Sequence, residues 1–241
     1  MPPAGGLAPL DVHVARKRLM NASGQTVEIL SDLAFRLEAG WIGALIGPSG
    51  CGKSTLMRIV AGLDERFEGR IERPAGPLAV VFQEPRLLPW RTVEANVRLA
   101  APGIGDAELD ALLEALGLAG HRAHFPGELS LGLARRAALA RAFAVKPALL
   151  LLDEPFVSLD APLALALQRE LAALVAERGI TAVLVTHDVG EAIRLADCIF
   201  VLSPRPARVI GDILVETPRK TMSAAAARSL EARIEALRTP A

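Results

Sequence analysis

The chain has no tyrosine, two tryptophans, two cysteines and four lysines among its 241 residues. Each shortage excludes something. Cys51 and Cys198 are too few for a disulfide framework or a zinc cluster. The 27 basic and 27 acidic residues leave no net charge, so the chain lacks the footprint of a general nucleic-acid coat. Mean hydropathy is high, at +0.35. Even so, apolar runs such as Ala148–Leu152 fall far short of the roughly 20 residues that a spanning helix needs. The opening MPPAGGLAPLDVHVARKR has no basic segment followed by an apolar one, so no secretion signal is expected. These exclusions point to a reduced, intracellular, soluble protein. With 51% apolar and 22% charged residues the chain is a folded one, long enough for a substantial core. Its lysines, Lys17, Lys53, Lys146 and Lys220, stand against 23 arginines.

What is present alternates. Two extended segments near 11–19 and 26–37 flank a turn at NASG, residues 21–24. Trp41 to Ile46 reads as a buried strand, and Lys53 to Leu63 has helical spacing. Short strands are expected near 69–72 and 78–82. From about Arg91 to Lys146, Leu and Ala dominate with polar residues at helical intervals, which predicts a helical lobe. Beyond Pro147 a strand at Ala148–Leu152 leads to a helix. Asp160 is its expected N-cap, Pro162 lies in its first turn and Gly179 follows its end. Strands at 181–185 and 198–202, a helix between them and a last amphipathic helix carrying Leu230, Ile234 and Leu237 complete the pattern. Strand–helix alternation predicts an α/β fold with a parallel sheet and a helical insertion.

Residues 47–55 read GPSGCGKST and fit the pattern G-x-x-x-x-G-K-S/T through Gly47, Gly52, Lys53 and Ser54. Small residues let backbone N–H groups curl around phosphates, and the helix that follows turns its positive end toward them. Lys53 supplies a compact charge to the β/γ-phosphates, and the Ser54 hydroxyl can ligate Mg²⁺. A second signal is LLLLDEP, which sets Asp153 and Glu154 just past a buried strand. Ligands of open parallel sheets bind at that edge. An Asp there can hold Mg²⁺, and a neighbouring Glu can act as general base toward water. His187 in VTHD and Gln83 in VVFQEP also follow apolar strands. Alone, each would be read as an ordinary structural residue; the two stronger signals make them site candidates.

Taken in order, these segments resemble the nucleotide-binding domain of ABC transporters across about residues 11 to 215. GPSGCGKST is similar to the Walker A loop, VFQEP to the Q-loop and ELSLGLARR to the LSGGQ signature. LLLLDEP is similar to Walker B, VSLD to the D-loop, and His187 to the switch histidine. The resemblance implies a P-loop NTPase fold, with a RecA-like parallel core, an antiparallel β subdomain and an inserted helical subdomain. It implies one nucleotide-binding domain over 1–241. The core and β subdomain would take 11–90 and 147–215, the helical subdomain 91–146, and a C-terminal helix 216–241. It implies ATP and Mg²⁺ as ligands. Gly47, Pro48, Ser49, Gly50, Cys51, Gly52, Lys53, Ser54 and Thr55 would bind the nucleotide, with Ser130, Gly132 and Asp160 completing the site across a head-to-tail pair. Ser54, Gln83 and Asp153 would hold the metal, and Glu154, His187 and Gln83 would serve catalysis.

The implied partners are a second cassette, identical or homologous, a membrane-spanning permease and, indirectly, a solute-binding protein, at the cytoplasmic face of the inner membrane. QEPRLLPW and LSPRPARVIGDI resemble importers of the nitrate, sulfonate and taurine group. A regulatory cassette with little catalysis and an exporter or lipid-transport ATPase are the competing readings. Leu131 stands where the signature usually has Gly, Leu133 where it has Gln, and Arg135 where a second Gln is common. No aromatic residue precedes Phe35 to stack on adenine; Met20 or Val27 could offer apolar contact instead. From these departures, weaker ATP binding or slower turnover is expected.

Overall fold

In the computed structural model, residues 8–21, 23–215 and 222–238 are described. They fall into two compact units, Met1–Ala75 with Thr181–Ala241, and Gly76–Ile180.

The first unit begins with a long antiparallel hairpin, β1 (Leu10–Met20) and β2 (Thr26–Leu37). Its turn is held by Asn21, whose Oδ1 accepts from the Ser23 and Gln25 N–H groups. β4 (Glu68–Glu72) adds to the other side of β1, giving the order β2-β1-β4. Along β1 the buried positions run Leu10, Val12 and Val14, the period-2 pattern of a half-buried strand. The pairing register shifts between Val14 and Arg16, and this extra residue changes the phase. Lys17, which simple alternation would turn outward with Ala15, is buried in consequence.

Four strands make the second sheet of this unit: β3 (Ile42–Ile46), β7 (Thr181–Val185), β8 (Cys198–Leu202) and β9 (Val209–Leu214). β3 lies between β7 and β8, parallel to both. All five residues of β3, β7 and β8 are buried, as expected of parallel strands covered on both faces. β9 pairs antiparallel to β8 at the edge and alternates in burial. The sequence reading did not mark it as a strand. Helices α1 (Lys53–Val60), α6 (Val189–Leu195) and α7 (Ala224–Arg238) belong to the same unit. Ile193 of α6 and Leu230 and Ile234 of α7 join Ala44, Ile46 and Ile199 in one apolar cluster. The expected C-terminal helix over 216–241 is described as α7; residues 216–221 and 239–241 lie outside the described residues.

The second unit holds the parallel pair β5 (Leu78–Val81) and β6 (Leu149–Asp153). Its helices are α2 (Val93–Ala100), α3 (Asp106–Ala115), α4 (Leu131–Ala144) and α5 (Ala161–Arg178). Asp160 caps α5, its Oδ1 accepting from the Leu163 N–H at 2.9 Å, and Gly179 closes the helix at φ +62. Asn96 is fully buried. Its amide donates to the Leu88, Arg91 and Thr92 carbonyls and accepts from the Leu88 N–H, pinning the segment before α2. Among the described residues no helix is long and apolar enough to cross a membrane.

Lys17 is 2% exposed, and its Nζ donates to Asp64 Oδ1 and to the Arg66 carbonyl, each at 2.7 Å. Burial pushes the Asp64 carboxyl up, but hydrogen bonds from Lys17 and the Arg66 N–H more than offset it and hold it below its ordinary value. Removing one member of such a pair strands the other. Lys17→Met is therefore expected to destabilise the protein by about 2–4 kcal/mol, somewhat below the range for fully buried pairs because Asp64 keeps some contact with water. The shift in urea midpoint measures it.

Candidate functional site

β3 ends at Ile46, and the chain turns at once into the loop Gly47–Gly52 before α1. Two glycines are dictated by geometry. A Cβ on Gly47 would stand 2.9 Å from the Leu202 Cβ. One on Gly52, which sits at φ +130, would stand 2.8 Å from Leu30 Cδ2 and 2.9 Å from Ile29 Cγ2. Lys53, the first residue of α1, is 6% exposed. Its Nζ donates to the Gly47 carbonyl at 2.8 Å and the Pro48 carbonyl at 3.0 Å, bracing the loop from inside. Cys51 is buried, and its N–H donates to the Pro48 carbonyl. Pro48, Ser49, Gly50 and Ser54 are exposed, and Thr55 is half-buried. No side chain caps α1 and its first turn carries no acid. The helix thus presents its positive end beside a buried ammonium, a donor set suited to a polyphosphate.

His187 leaves the same sheet edge. β7 runs parallel to β3 in a register that sets Val185 opposite Leu45, and the Thr186 N–H donates to the Leu45 carbonyl. The imidazole is exposed, two residues past the strand. Three neighbours that sequence reasoning missed surround it. Thr186 Oγ1 donates to Glu191 Oε2 and accepts from the Asp188 N–H at 3.0 Å. Asp188 Oδ1, the N-cap of α6, accepts from the Glu191 N–H at 3.0 Å. The D-x-x-E spacing was a visible capping signal, but the Glu191 carboxyl turns to Thr186. Burial pushes that carboxyl up to about 7, against the lowering hydrogen bond from Thr186.

In the second unit β5 and β6 are parallel with Val81 opposite Leu152. Gln83 and the pair Asp153 and Glu154 accordingly leave from neighbouring carboxyl ends. Gln83 is exposed, and both acids are half-buried. Glu154 adopts φ +48 and Ser158 φ +62 in the link to α5, conformations rare for such residues and costly unless the surroundings impose them. Arg135 helps impose them. It is 5% exposed, and its Nη1 donates to the carbonyl of Pro155, the residue after Glu154. Read in the sequence only as a departure from Gln, it is an anchor for this link.

Ser130 caps α4 by accepting from the Leu133 N–H at 3.3 Å. Gly132 is the second residue of the helix, where a Cβ would stand 2.5 Å from Leu163 Cδ2. The first turns of α4 and α5 are thus packed at glycine distance, which couples Ser130 to the Asp160 cap. Leu131 is 46% exposed, so its side chain projects from the first turn of α4. Met20, offered as an apolar contact for adenine, is 76% exposed near the hairpin tip, and Val27 is half-buried.

A family model described as ABC transporter matches residues 30–157. The aliphatic sulfonates import ATP-binding protein SsuB 2 of Burkholderia cenocepacia is 45% identical over 228 residues, covering 90% of this chain and 83% of the relative. Its namesake in Pseudomonas syringae is 45% identical over 213 residues, covering 87% and 90%. The chain belongs to the ABC transporter family. A dimeric structure of the bacterial ABC transporter cassette MJ0796 matches it with a TM-score of 0.75 at 26% identity, covering 87% of this chain and all of that one. A second dimeric structure of that cassette, in a post-hydrolysis state bound to ADP and Pi, matches with a TM-score of 0.74. The fold of this ABC cassette is that of a P-loop NTPase, as the motif order implied.

Gly52→Ala would force a side chain into Ile29 and Leu30 at a φ that L-residues avoid. We expect a stability loss of about 1–3 kcal/mol and at least about tenfold weaker ATP binding, since the loop must open to admit the Cβ. Denaturation and titration with a fluorescent nucleotide measure the two effects.

Proposed function

We propose that this cassette is the ATP-hydrolysing subunit of an ABC importer for aliphatic sulfonates. The observation that carries the reading is the 45% identity, over most of both chains, to two proteins named as aliphatic sulfonate import ATP-binding subunits. It narrows the nitrate, sulfonate and taurine group expected from QEPRLLPW and LSPRPARVIGDI.

The residue roles follow from the motifs and from the geometry within each unit. Gly47–Thr55 holds the ATP phosphates through backbone N–H groups and the Lys53 ammonium. Ser54, Gln83 and Asp153 are assigned to Mg²⁺, which supplies charge neutralisation at the phosphates when bound. Among the described residues no group of three or more His, Cys, Asp or Glu could hold a metal ion. A magnesium ion that takes most of its ligands from phosphate and water needs no such cage. Glu154 accepts a proton from the water that attacks the γ-phosphorus, and His187 steadies the γ-phosphate and that water. Ser130 and Gly132, at the start of α4, contact the nucleotide of a second cassette, with Asp160 beside them. Gln83 and α2–α4 relay closure to a permease at the cytoplasmic face of the inner membrane, where this subunit is peripheral.

Glu154→Gln is expected to keep ATP binding, lower turnover by about a hundredfold or more, and accumulate a nucleotide-bound dimer visible by size-exclusion chromatography. Normal hydrolysis by that variant would remove Glu154 as the base. For the solute, the cassette is co-purified with its permease in proteoliposomes with the cognate binding protein. An alkanesulfonate should stimulate ATP hydrolysis. Stimulation by nitrate but not by any alkanesulfonate would overturn the assignment.

A further inference from the structure

His187 is exposed, yet its two chain neighbours are fixed. The Asp188 N–H is bound to the Thr186 hydroxyl, that hydroxyl donates to Glu191, and the Glu191 N–H returns to Asp188 Oδ1. These bonds close a ring whose chain segment includes the exposed His187. Thr186 is 2% and Glu191 5% exposed. The ring is anchored to the strand before the phosphate loop through the Thr186 N–H and the Leu45 carbonyl. Glu191 Oε1 is buried and, among the described residues, has no hydrogen-bond partner. A buried carboxyl with an empty acceptor is costly as an anion, and such groups in native proteins call for an explanation.

We infer that Glu191, through Thr186, is a positioning residue for His187, and that the ring holds His187 in its working place only while the Glu191 carboxyl carries a proton. The inference rests on the ATPase reading above and on the role given there to His187. Burial favours the neutral carboxyl and outweighs the Thr186 hydrogen bond, which favours the anion. Asp188 repels an anion, whereas Arg194 and His187 attract it. The β3 and α7 residues of the cluster around α6 are Ala44, Ile46, Leu230 and Ile234, all apolar. Burial raises the carboxyl to about 7, so ionisation falls within the working range. On ionisation, Oε1 becomes a buried anion with no donor. It is relieved by drawing in water, Arg194 or the His187 imidazole, and each of these loosens the loop. Activity is then lost as pH rises through about 7. The same group, raised above its unfolded value, contributes stability that is complete at pH below its ordinary range and is lost as pH rises through that same region.

The test is steady-state ATP hydrolysis by the full chain from pH 5.5 to about 9, with wild type, E154Q, T186V, T186S, E191A and E191Q, folding being checked by circular dichroism. Expected are a fall in kcat of about tenfold or more in T186V and E191A, with KM for ATP within about twofold. T186S and E191Q should recover most of the rate. The alkaline limb of kcat in E191Q should move up by at least about half a pH unit. Should E191A fail to fold, T186V decides, because it keeps the shape and removes only the hydroxyl. Wild-type kcat in T186V, or an unmoved alkaline limb in E191Q, overturns the inference while the ATPase reading stands. Wild-type protein without turnover, or E154Q as active as wild type, overturns that reading and this inference with it.

Discussion

The Lys53 ammonium, held between the Gly47 and Pro48 carbonyls, is the contact on which the site depends. A buried cation at the head of a helix is in an unfavourable place. The helix end is itself positive, and no acid lies in its first turn. Two backbone carbonyls compensate it only in part. The remaining positive potential is what a triphosphate answers, and the surrounding glycines let phosphate approach the backbone. Much of the local sequence follows from this need: apolar β3 to bury the loop's start, Leu202 and Leu30 packed where Gly47 and Gly52 leave no room, and a lysine in a chain that otherwise uses arginine.

The second unit meets a related demand by different means. Glu154 must stand past β6 in a conformation its side chain does not favour. Pro155 has no N–H to offer, so its carbonyl is the available handle, and Arg135 takes it. The close approach of Gly132 to Leu163 ties the start of α4 to the helix capped by Asp160. Within each unit, parallel pairing brings the positions proposed for the site to one edge: Gly47 with His187 in the first, Gln83 with Asp153 and Glu154 in the second.

Much of this was legible in the sequence because the signals are local. The phosphate loop is a contiguous pattern, the buried parallel strands read as unbroken apolar runs, and Ser130, Asp160 and Gly179 sit where capping chemistry requires them. What was not legible depends on contacts between distant segments or on a change of phase. The burial of Lys17 follows from a register shift that leaves no mark in composition. The short edge strand β9 carries mixed polarity and was missed. Arg135 reads as a departure from a motif, since nothing in the sequence brings it to Pro155. Nor does the sequence show that the Glu191 carboxyl is buried against Thr186, next to His187 in the chain.

The central claim is that a compact ammonium, braced by two loop carbonyls, makes the phosphate site. Lys53→Arg tests it most directly, because it keeps the charge and changes the shape. A guanidinium is planar and broader than an ammonium and holds its donors in a rigid fork, whereas Lys53 meets both carbonyls with one nitrogen. The account predicts that ATP affinity, measured by nucleotide titration of the folded variant, falls by at least about tenfold. Affinity equal to wild type would show that charge alone suffices and would contradict it.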